Sequence, residues 1–216
     1  MSTSVDEEIL AYIRRNKVST TEIADCLGKT GVVDDVYPIN RGHFRAGKIR
    51  WVYGYDESNW DIHMQVRDVQ PREIIFVETF DCKKRAVFGE LVTKYIITYQ
   101  GAEAVVTDGY MRDAHRLIKE NYPVWCKGVT PIGCFNRQSD RPMDEDIIRD
   151  RRERLDGAIM VCDDSGVVII PKDQINQEFL KKLEYIEWQE DTWFDCIDRK
   201  KWNTYDTVCL KKYLEE

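Results

Sequence analysis

Residues 73 to 119 read EIIFVETFDCKKRAVFGELVTKYIITYQGAEAVVTDGYMRDAHRLIK, and this stretch decides the fold class. Residues 73–79 and 103–107 are short apolar runs that are typical of buried strands. Each run is followed by a segment with helical character, the second at residues 112–119. This alternation of strands and helices predicts an α/β domain with at least partly parallel strands.

The segment between the two strands predicts a helix with one broad apolar face. Apolar residues recur there at four-residue intervals, namely Val87, Leu91, Tyr95 and Tyr99, flanked by Phe88, Val92 and Ile96. This spacing places them on one side of a helix. We expect the helix to end at Gly101.

Further elements are predicted on both sides of this unit. Ser19 and Glu22 have the spacing of a capping box, so we expect a helix from there to Leu27, with Gly28 as its stop. Other helices are expected at residues 7–15, 59–66 and 175–186, strands at 44–54, 123–126, 157–162 and 167–170, and a tight turn at 163–166. The sequence therefore predicts one α/β domain over residues 1–216, with a core at about 20–190 and helical additions at both ends.

The composition of the 216-residue chain fits one large folded domain. Hydrophobic residues make up 43% and charged residues 33%, which allows a sizeable core under a solvated surface. The net charge of -7 disfavours nucleic-acid binding, because affinity for phosphate backbones comes mainly from clustered lysine and arginine.

Targeting and redox features indicate a cytoplasmic protein. Residues 1–8 have neither a basic start nor an apolar run, so no secretory signal is expected. No stretch approaches the roughly 18 apolar residues of a membrane span. Seven scattered cysteines without a CxxC pair favour reduced thiols, and Cys126 and Cys162, in apolar strands, are expected to be buried and inert.

Two segments differ in character from the rest. Residues 144–155 carry mixed charges, which favours a solvated helix face over a nucleic-acid patch. Residues 188–213 are aromatic, with Trp188, Trp193, Phe194, Trp202 and Tyr205. Exposing so many aromatic rings would be costly, so we expect this tail to pack on the domain or on a neighbouring subunit.

The residues with most chemical content lie at two predicted strand-to-helix junctions. One contains Gly89 and Glu90, and the other presents Arg112 and Asp113 after Gly109. A helix N-terminus offers free backbone N–H groups to a carboxylate, and arginine offers a permanently charged planar fork. Aspartate is a hard oxygen ligand for Mg²⁺ or Mn²⁺. Two such junctions can lie side by side at one end of a sheet, where α/β proteins usually bind ligands.

Three motifs occur in order along the chain. They are Asp108-Gly109-Tyr110-Met111-Arg112-Asp113, Pro123-Val124-Trp125-Cys126-Lys127-Gly128-Val129-Thr130-Pro131 and Asp163-Asp164-Ser165-Gly166-Val167-Val168-Ile169-Ile170-Pro171. Together they resemble the family of RraA-like proteins and metal-dependent 4-hydroxy-4-methyl-2-oxoglutarate (4-carboxy-4-hydroxy-2-oxoadipate) aldolases. The resemblance covers about residues 20–190, and the order of the motifs makes it specific.

The resemblance implies a swivelling β/β/α-type domain that assembles as trimers or hexamers, with active sites between subunits. By position in the motifs, Asp113 would bind a divalent metal and Arg112 would contact the substrate. Glu90 would order the waters of the metal. The carboxylate of pyruvate would be held by the turn formed by Gly89, Leu91 and Val92.

The chain departs from the family pattern in two places. The interval between Glu90 and Arg112 is one residue longer than in the family, which implies an insertion near Gly101. Residues 132–156 replace a glycine-rich hairpin with a charged segment. Aldolases of the family also receive an acidic residue from the neighbouring subunit, for which the sequence offers Glu184, Glu187 and Glu190.

Structural roles compete with these functional ones. Arg112 and Asp113 could form only an ion pair at a helix start, with Asp113 as the cap, and Glu90 could merely complement a helix dipole. His115 is the histidine nearest to the predicted site in sequence. The flanking motifs favour the functional interpretation of Arg112 and Asp113.

The favoured hypothesis is a lyase of the class II aldolase type, which uses Mg²⁺ or Mn²⁺ to cleave a 2-oxo acid and release pyruvate. Oxaloacetate decarboxylation is an expected companion activity, because it generates the same pyruvate enolate. Two alternatives stay open: a non-catalytic regulator that binds an RNA-processing endonuclease, and an enzyme of altered substrate in a biosynthetic pathway. Asp113 favours the enzyme, since a regulator needs no metal ligand.

Overall fold

A mixed sheet organises the computed structural model, which describes residues 4–215. Its strands are β1 (Tyr37–Pro38), β2 (Arg45–Tyr55), β3 (Ile74–Phe80), β4 (Ala86–Phe88), β5 (Ala104–Met111), β6 (Val124–Val129), β7 (Ile159–Asp163) and β8 (Gly166–Ile170). Their order is β1-β6-β5-β3-β2-β7-β8, with β4 paired to β5. Strands β2 to β6 pair in parallel, whereas the β7–β8 hairpin continues the sheet antiparallel to β2.

Helices cover both sides of this sheet. They are α1 (Val5–Asn16), α2 (Thr20–Cys26), α3 (Trp60–Gln65), α4 (Glu90–Lys94), α5 (Ala114–Lys119), α6 (Glu145–Leu155) and α7 (Gln177–Asp198). A π-helical turn, Tyr95–Tyr99, continues α4, and another, Tyr205–Cys209, follows α7. Within the described residues, none of these helices is both long and apolar enough to cross a membrane.

The core consists of three apolar layers, because side chains alternate between the faces of each strand. Val77 and Val105 pack against α3, α4 and α5 on one face of the parallel strands. Phe76 on the other face packs against Met160 of the hairpin. The outer face of the hairpin packs against Phe179 and the other apolar residues of α1, α2 and α7.

The predicted α/β class and the terminal helices are confirmed. The Ser19 hydroxyl accepts the Glu22 amide at 3.2 Å, and the Ser19 amide donates to the Glu22 carboxylate at 2.7 Å, which completes the predicted capping box. The turn at residues 163–166 closes the β7–β8 hairpin, and α6 buries no residue. Cys126 and Cys162 are buried, as predicted. Residues 1–3, part of the segment for which no secretory signal is expected, lie outside the described residues.

The prediction of one apolar helix face from Val87 to Tyr99 is wrong. Val87 lies in β4, which pairs with β5, so the helix begins only at Glu90. The side chains of Leu91 and Tyr99 are 78% and 72% exposed, whereas the neighbouring stripe containing Ile96 is buried. A four-residue spacing places residues on one side of a helix, but packing decides which side faces the core.

The aromatic tail packs on the domain only in part. The π-helical turn at residues 205–209 folds back on α7, and the Trp202 amide donates to the Cys196 carbonyl at 3.0 Å. Cys196 and Thr207 are buried by this return. Phe194 and Tyr205 nevertheless stay 64% and 62% exposed.

Candidate active site

The two strand-to-helix junctions lie side by side, as predicted. Strands β4 and β5 run in parallel, with Phe88 opposite Met111, so both junctions open at the same edge of the sheet. The Arg112 amide donates to the Phe88 carbonyl at 3.0 Å. The structure thereby brings Arg112 and Asp113 against the first turn of α4.

Asp113 joins the two junctions through its carboxylate. Its Oδ2 atom accepts the backbone N–H of Glu90 at 3.2 Å, and the Nε atom of Arg112 lies 3.6 Å from the same oxygen. Asp113 occupies the N-cap position of α5 with φ of 58°, but its side chain makes no capping hydrogen bond there. The carboxylate therefore reaches α4 instead of capping its own helix, while the ion pair with Arg112 is present.

Gly89 is required by this close approach. A Cβ atom at this position would lie 2.7 Å from Cγ of Arg112 and 3.0 Å from Cγ of Asp113, closer than side-chain carbons tolerate. Gly89 also accepts the Thr93 hydroxyl on its carbonyl at 2.9 Å. The glycine of the predicted site thus makes room for Arg112 and Asp113 at the start of α4.

The remaining predicted site residues occupy the first turn of α4. Glu90, Leu91 and Val92 follow Gly89 directly, and the Glu90 amide is engaged by Asp113. The Leu91 side chain points to solvent and the Val92 side chain is buried. All six residues that the sequence assigned to the site are therefore close together in the fold.

The one-residue insertion implied near Gly101 has a structural counterpart. A π-helical turn occupies residues 95–99, where the Gln100 amide donates to the Tyr95 carbonyl. A π turn contains more residues than an α turn. Such a turn is the kind of feature that a one-residue insertion produces, and Glu90 lies in the first turn of α4.

A cavity of about 360 Å³ opens beside Arg112 and Asp113. Its other lining residues are Ala114, His115, Val129, Thr130 and Pro131, whereas the predicted Gly89, Glu90, Leu91 and Val92 lie at the adjoining start of α4 and do not line it. Val129, Thr130 and Pro131 end the second sequence motif, which could have indicated their place in the site. Gly133, which the sequence did not single out, also approaches the site, since a Cβ there would lie 2.9 Å from Nη1 of Arg112.

Asp108, the first residue of the Asp-Gly-x-x-Arg-Asp motif, has a structural role. Its carboxylate accepts the Thr79 amide at 2.8 Å and so ties β5 to β3. Burial, together with the charge of Glu78, raises the pKa of the Asp108 carboxyl to about 6. The Asp108 carboxylate does not line the cavity and bonds to β3, whereas the Asp113 carboxylate lines the cavity and bonds to the first turn of α4.

The acidic residues of α7 do not complete the site within one chain. Among Glu184, Glu187 and Glu190, none lines the cavity beside Asp113. Glu187 instead accepts hydrogen bonds from the Tyr12 hydroxyl and the Asn16 amide group of α1. Residues 4–215 also contain no group of three or more histidine, cysteine, aspartate or glutamate residues placed to hold a metal.

Known proteins resemble this chain in sequence. A family model described as RraA-like, Aldolase/RraA, matches residues 20–169. A protein of Halalkalibacterium halodurans, provisionally named 4-hydroxy-4-methyl-2-oxoglutarate aldolase, is 24% identical over 200 residues, which cover 92% of this chain and 91% of that protein.

Solved structures show a similar fold. RraAS2 from Streptomyces coelicolor, described as an unusual member of the RNase ES inhibitor RraA protein family, matches with a TM-score of 0.66 and 22% identity, covering 86% of this chain and 96% of that one. The RNA-processing inhibitor RraA from Thermus thermophilis matches with a TM-score of 0.55 and 17% identity, covering 70% and 92%. At these identities the likeness concerns the fold alone.

Proposed function

Since the chain belongs to the RraA-like family, we propose that it is a divalent-metal-dependent carbon–carbon lyase that cleaves a 2-oxo acid and releases pyruvate. The observation that carries this proposal is the Asp113 carboxylate, held by the Glu90 amide with the Arg112 guanidinium beside it. A hard oxygen ligand and a fixed positive charge thus meet at the mouth of a cavity. The name of the Halalkalibacterium relative supports the same reaction class.

The donor set at Asp113 fits Mg²⁺ or Mn²⁺. Asp113 contributes a carboxylate that is 40% exposed, with one oxygen already oriented by the Glu90 amide. Mg²⁺ usually keeps several waters and is bound by one or two carboxylates together with the substrate. A single aspartate next to an open cavity is compatible with this mode of Mg²⁺ coordination, whereas structural zinc needs four protein ligands.

The reaction follows from the placement of the site residues. A divalent cation bound at Asp113 would polarise the ketone oxygen of a 2-oxo acid. Arg112 adds positive charge where negative charge collects as the carbon–carbon bond breaks. The first-turn amides of Leu91 and Val92 receive the substrate carboxylate. Glu90 orders a water that exchanges the proton with the substrate.

Pyruvate release tests this function directly. We expect the purified full chain to release pyruvate from 4-hydroxy-4-methyl-2-oxoglutarate or oxaloacetate when Mg²⁺ or Mn²⁺ is present. Excess EDTA should abolish the release, because no lysine among the described residues lines the cavity to replace the cation through a Schiff base, and readdition of the metal should restore it. Release that EDTA leaves unchanged contradicts the metal requirement. Absence of release from either substrate favours the regulator or the enzyme of altered substrate.

We further propose that the active site is shared between subunits of a trimer or a multiple of it. The cavity beside Asp113 is open, and the exposed side chains of Leu91 and Tyr99 lie on the helix that begins at the site. Phe194 and Tyr205 form further exposed aromatic surface on the tail. Aromatic residues are enriched at subunit interfaces. We therefore expect a second copy of the chain to bury these exposed side chains.

Substitution of the exposed tail aromatics tests this assembly. We expect Phe194→Ser with Tyr205→Ser to shift the sedimenting species from trimer towards monomer and to lower the rate of pyruvate release. These residues are preferable to a truncation after Gln189, since the tail contains the buried Cys196 and Thr207. The exposed Lys181→Gln on α7 serves as a control that should leave the assembly intact. A stable, active wild-type monomer at micromolar concentration contradicts the proposal.

A further inference from the structure

Two cysteines outside the candidate active site face each other. Cys82 is buried in the loop between β3 and β4, and Cys134 is half-buried in the segment after β6. Cys134 packs against the apolar cluster that contains Cys82, and the Cys82 thiol donates to the Phe80 carbonyl at 3.7 Å. The fold therefore places side by side two thiols that are far apart in the sequence.

The backbone holds both segments in this position. The Glu57 amide donates to the Asp81 carbonyl at 3.2 Å, and the Glu57 carbonyl accepts the Phe135 amide at 2.8 Å. The Cys134 amide donates to the Ala86 carbonyl at 2.9 Å. Asp81, which precedes Cys82, and Phe135, which follows Cys134, are thus both hydrogen-bonded to Glu57. The backbone therefore holds the two cysteines near each other.

The two thiols differ in chemical character. The neighbouring Cys82 side chain and the nearby Arg85 guanidinium lower the pKa of the Cys134 thiol. The interaction with Cys134 and burial raise the pKa of the Cys82 thiol. Since the thiolate is the reactive form and needs access to its reaction partner, Cys134 is suited to react first.

We propose that Cys82 and Cys134 form a reversible intramolecular disulfide when the protein meets hydrogen peroxide. The Cys134 thiolate attacks one peroxide oxygen, the O–O bond breaks, and a sulfenic acid and one water result after protonation. The Cys82 sulfur then attacks the sulfenic sulfur, so that the S–S bond forms, the S–O bond breaks and a second water leaves. The two thiols together lose two electrons, and one peroxide molecule gains them and becomes two waters.

The cysteine pair lies near the candidate active site. Gly133, next to Cys134, approaches Arg112, and its carbonyl accepts the Arg85 guanidinium at 3.2 Å. A Cys82–Cys134 bond would tie the β3–β4 loop to this segment, next to the residue that approaches Arg112. The proposal does not depend on the lyase activity, because it concerns the thiols alone.

Peptide mapping under non-reducing conditions tests the disulfide. The full chain is treated with hydrogen peroxide, blocked with an alkylating reagent and digested. We expect a cross-linked peptide that contains Cys82 and Cys134, which dithiothreitol returns to the two thiol peptides. Absence of this cross-link, with Cys134 carried on to sulfinic acid or joined to a different cysteine, overturns the proposal.

Three variants make the result specific. In Cys82→Ala, dimedone should trap a sulfenic acid on Cys134, because the resolving thiol is gone. In Cys134→Ser, the Cys82 peptide should stay reduced. Cys209→Ser removes an exposed thiol and should leave the Cys82–Cys134 cross-link unchanged. A cross-link that disappears in Cys209→Ser, or a Cys82 that oxidises equally well without Cys134, overturns the proposal.

Discussion

The Asp113→Ala variant is expected to release pyruvate about a thousandfold more slowly than the wild type. A bound divalent cation stabilises transition-state charge by several kcal/mol, and each 1.36 kcal/mol corresponds to a factor of ten in rate. Asp113 is the metal ligand of the proposed site, so its removal should take this stabilisation away. The rate is measured by coupling pyruvate to lactate dehydrogenase at saturating Mg²⁺.

Two controls separate the loss of the metal from loss of the fold. Asp113→Asn keeps the shape of the side chain and an oxygen for the Glu90 amide, but it lacks the charge that binds the cation. It should fold like the wild type by circular dichroism and still be inactive. Glu120→Gln, at the exposed C-terminal end of α5, should be fully active. Full turnover by Asp113→Ala contradicts the assignment of the metal ligand.

The Arg112→Lys variant is expected to lose about a hundredfold in kcat. Loss of one well-placed electrostatic donor typically costs on the order of a hundredfold or more. Lysine keeps the charge but lacks the planar fork of arginine. The Arg112 side chain passes close to Gly89 and its guanidinium to Gly133, and a lysine ammonium cannot place two donors in that plane. Initial rates over a range of substrate concentrations separate kcat from KM.

The matched control is Arg116→Lys, on the exposed surface of α5, which should keep the wild-type rate. Binding of Mn²⁺, followed by calorimetry, distinguishes the two site variants. Arg112→Lys should retain the metal, whereas Asp113→Ala should lose it. A wild-type kcat in Arg112→Lys would mean that Arg112 serves only as the ion-pair partner of Asp113.

Local stereochemistry explains which parts of the fold were predictable from the sequence. The runs at residues 73–79 and 103–107 indicated two strands of an at least partly parallel sheet, and the structure pairs β3 with β5 in parallel. The Ser19 capping box is satisfied within four residues, so no distant contact was needed to predict it. The motif containing Arg112 and Asp113 likewise marked a strand-to-helix junction, with only the helix start moving to Ala114.

The sequence did not predict which side of α4 is buried. Two neighbouring apolar stripes run along residues 87–99, and either could face a core. The parallel pairing of β4 with β5 removes Val87 from the helix, and the packing of Ile96 in the core leaves Leu91 exposed. Both outcomes depend on strands and side chains that are distant in the sequence.

The candidate active site was also predictable only in part. Residue type and spacing were enough to identify its chemical groups, namely a glycine turn, a carboxylate and a guanidinium. Three contacts became visible only in the folded chain: the Asp113 carboxylate accepts the Glu90 amide, Gly133 borders Arg112, and Cys134 packs against the cluster that contains Cys82. These contacts join segments separated by some twenty to fifty residues, and their geometry is set by strand pairing and packing, which no local pattern encodes.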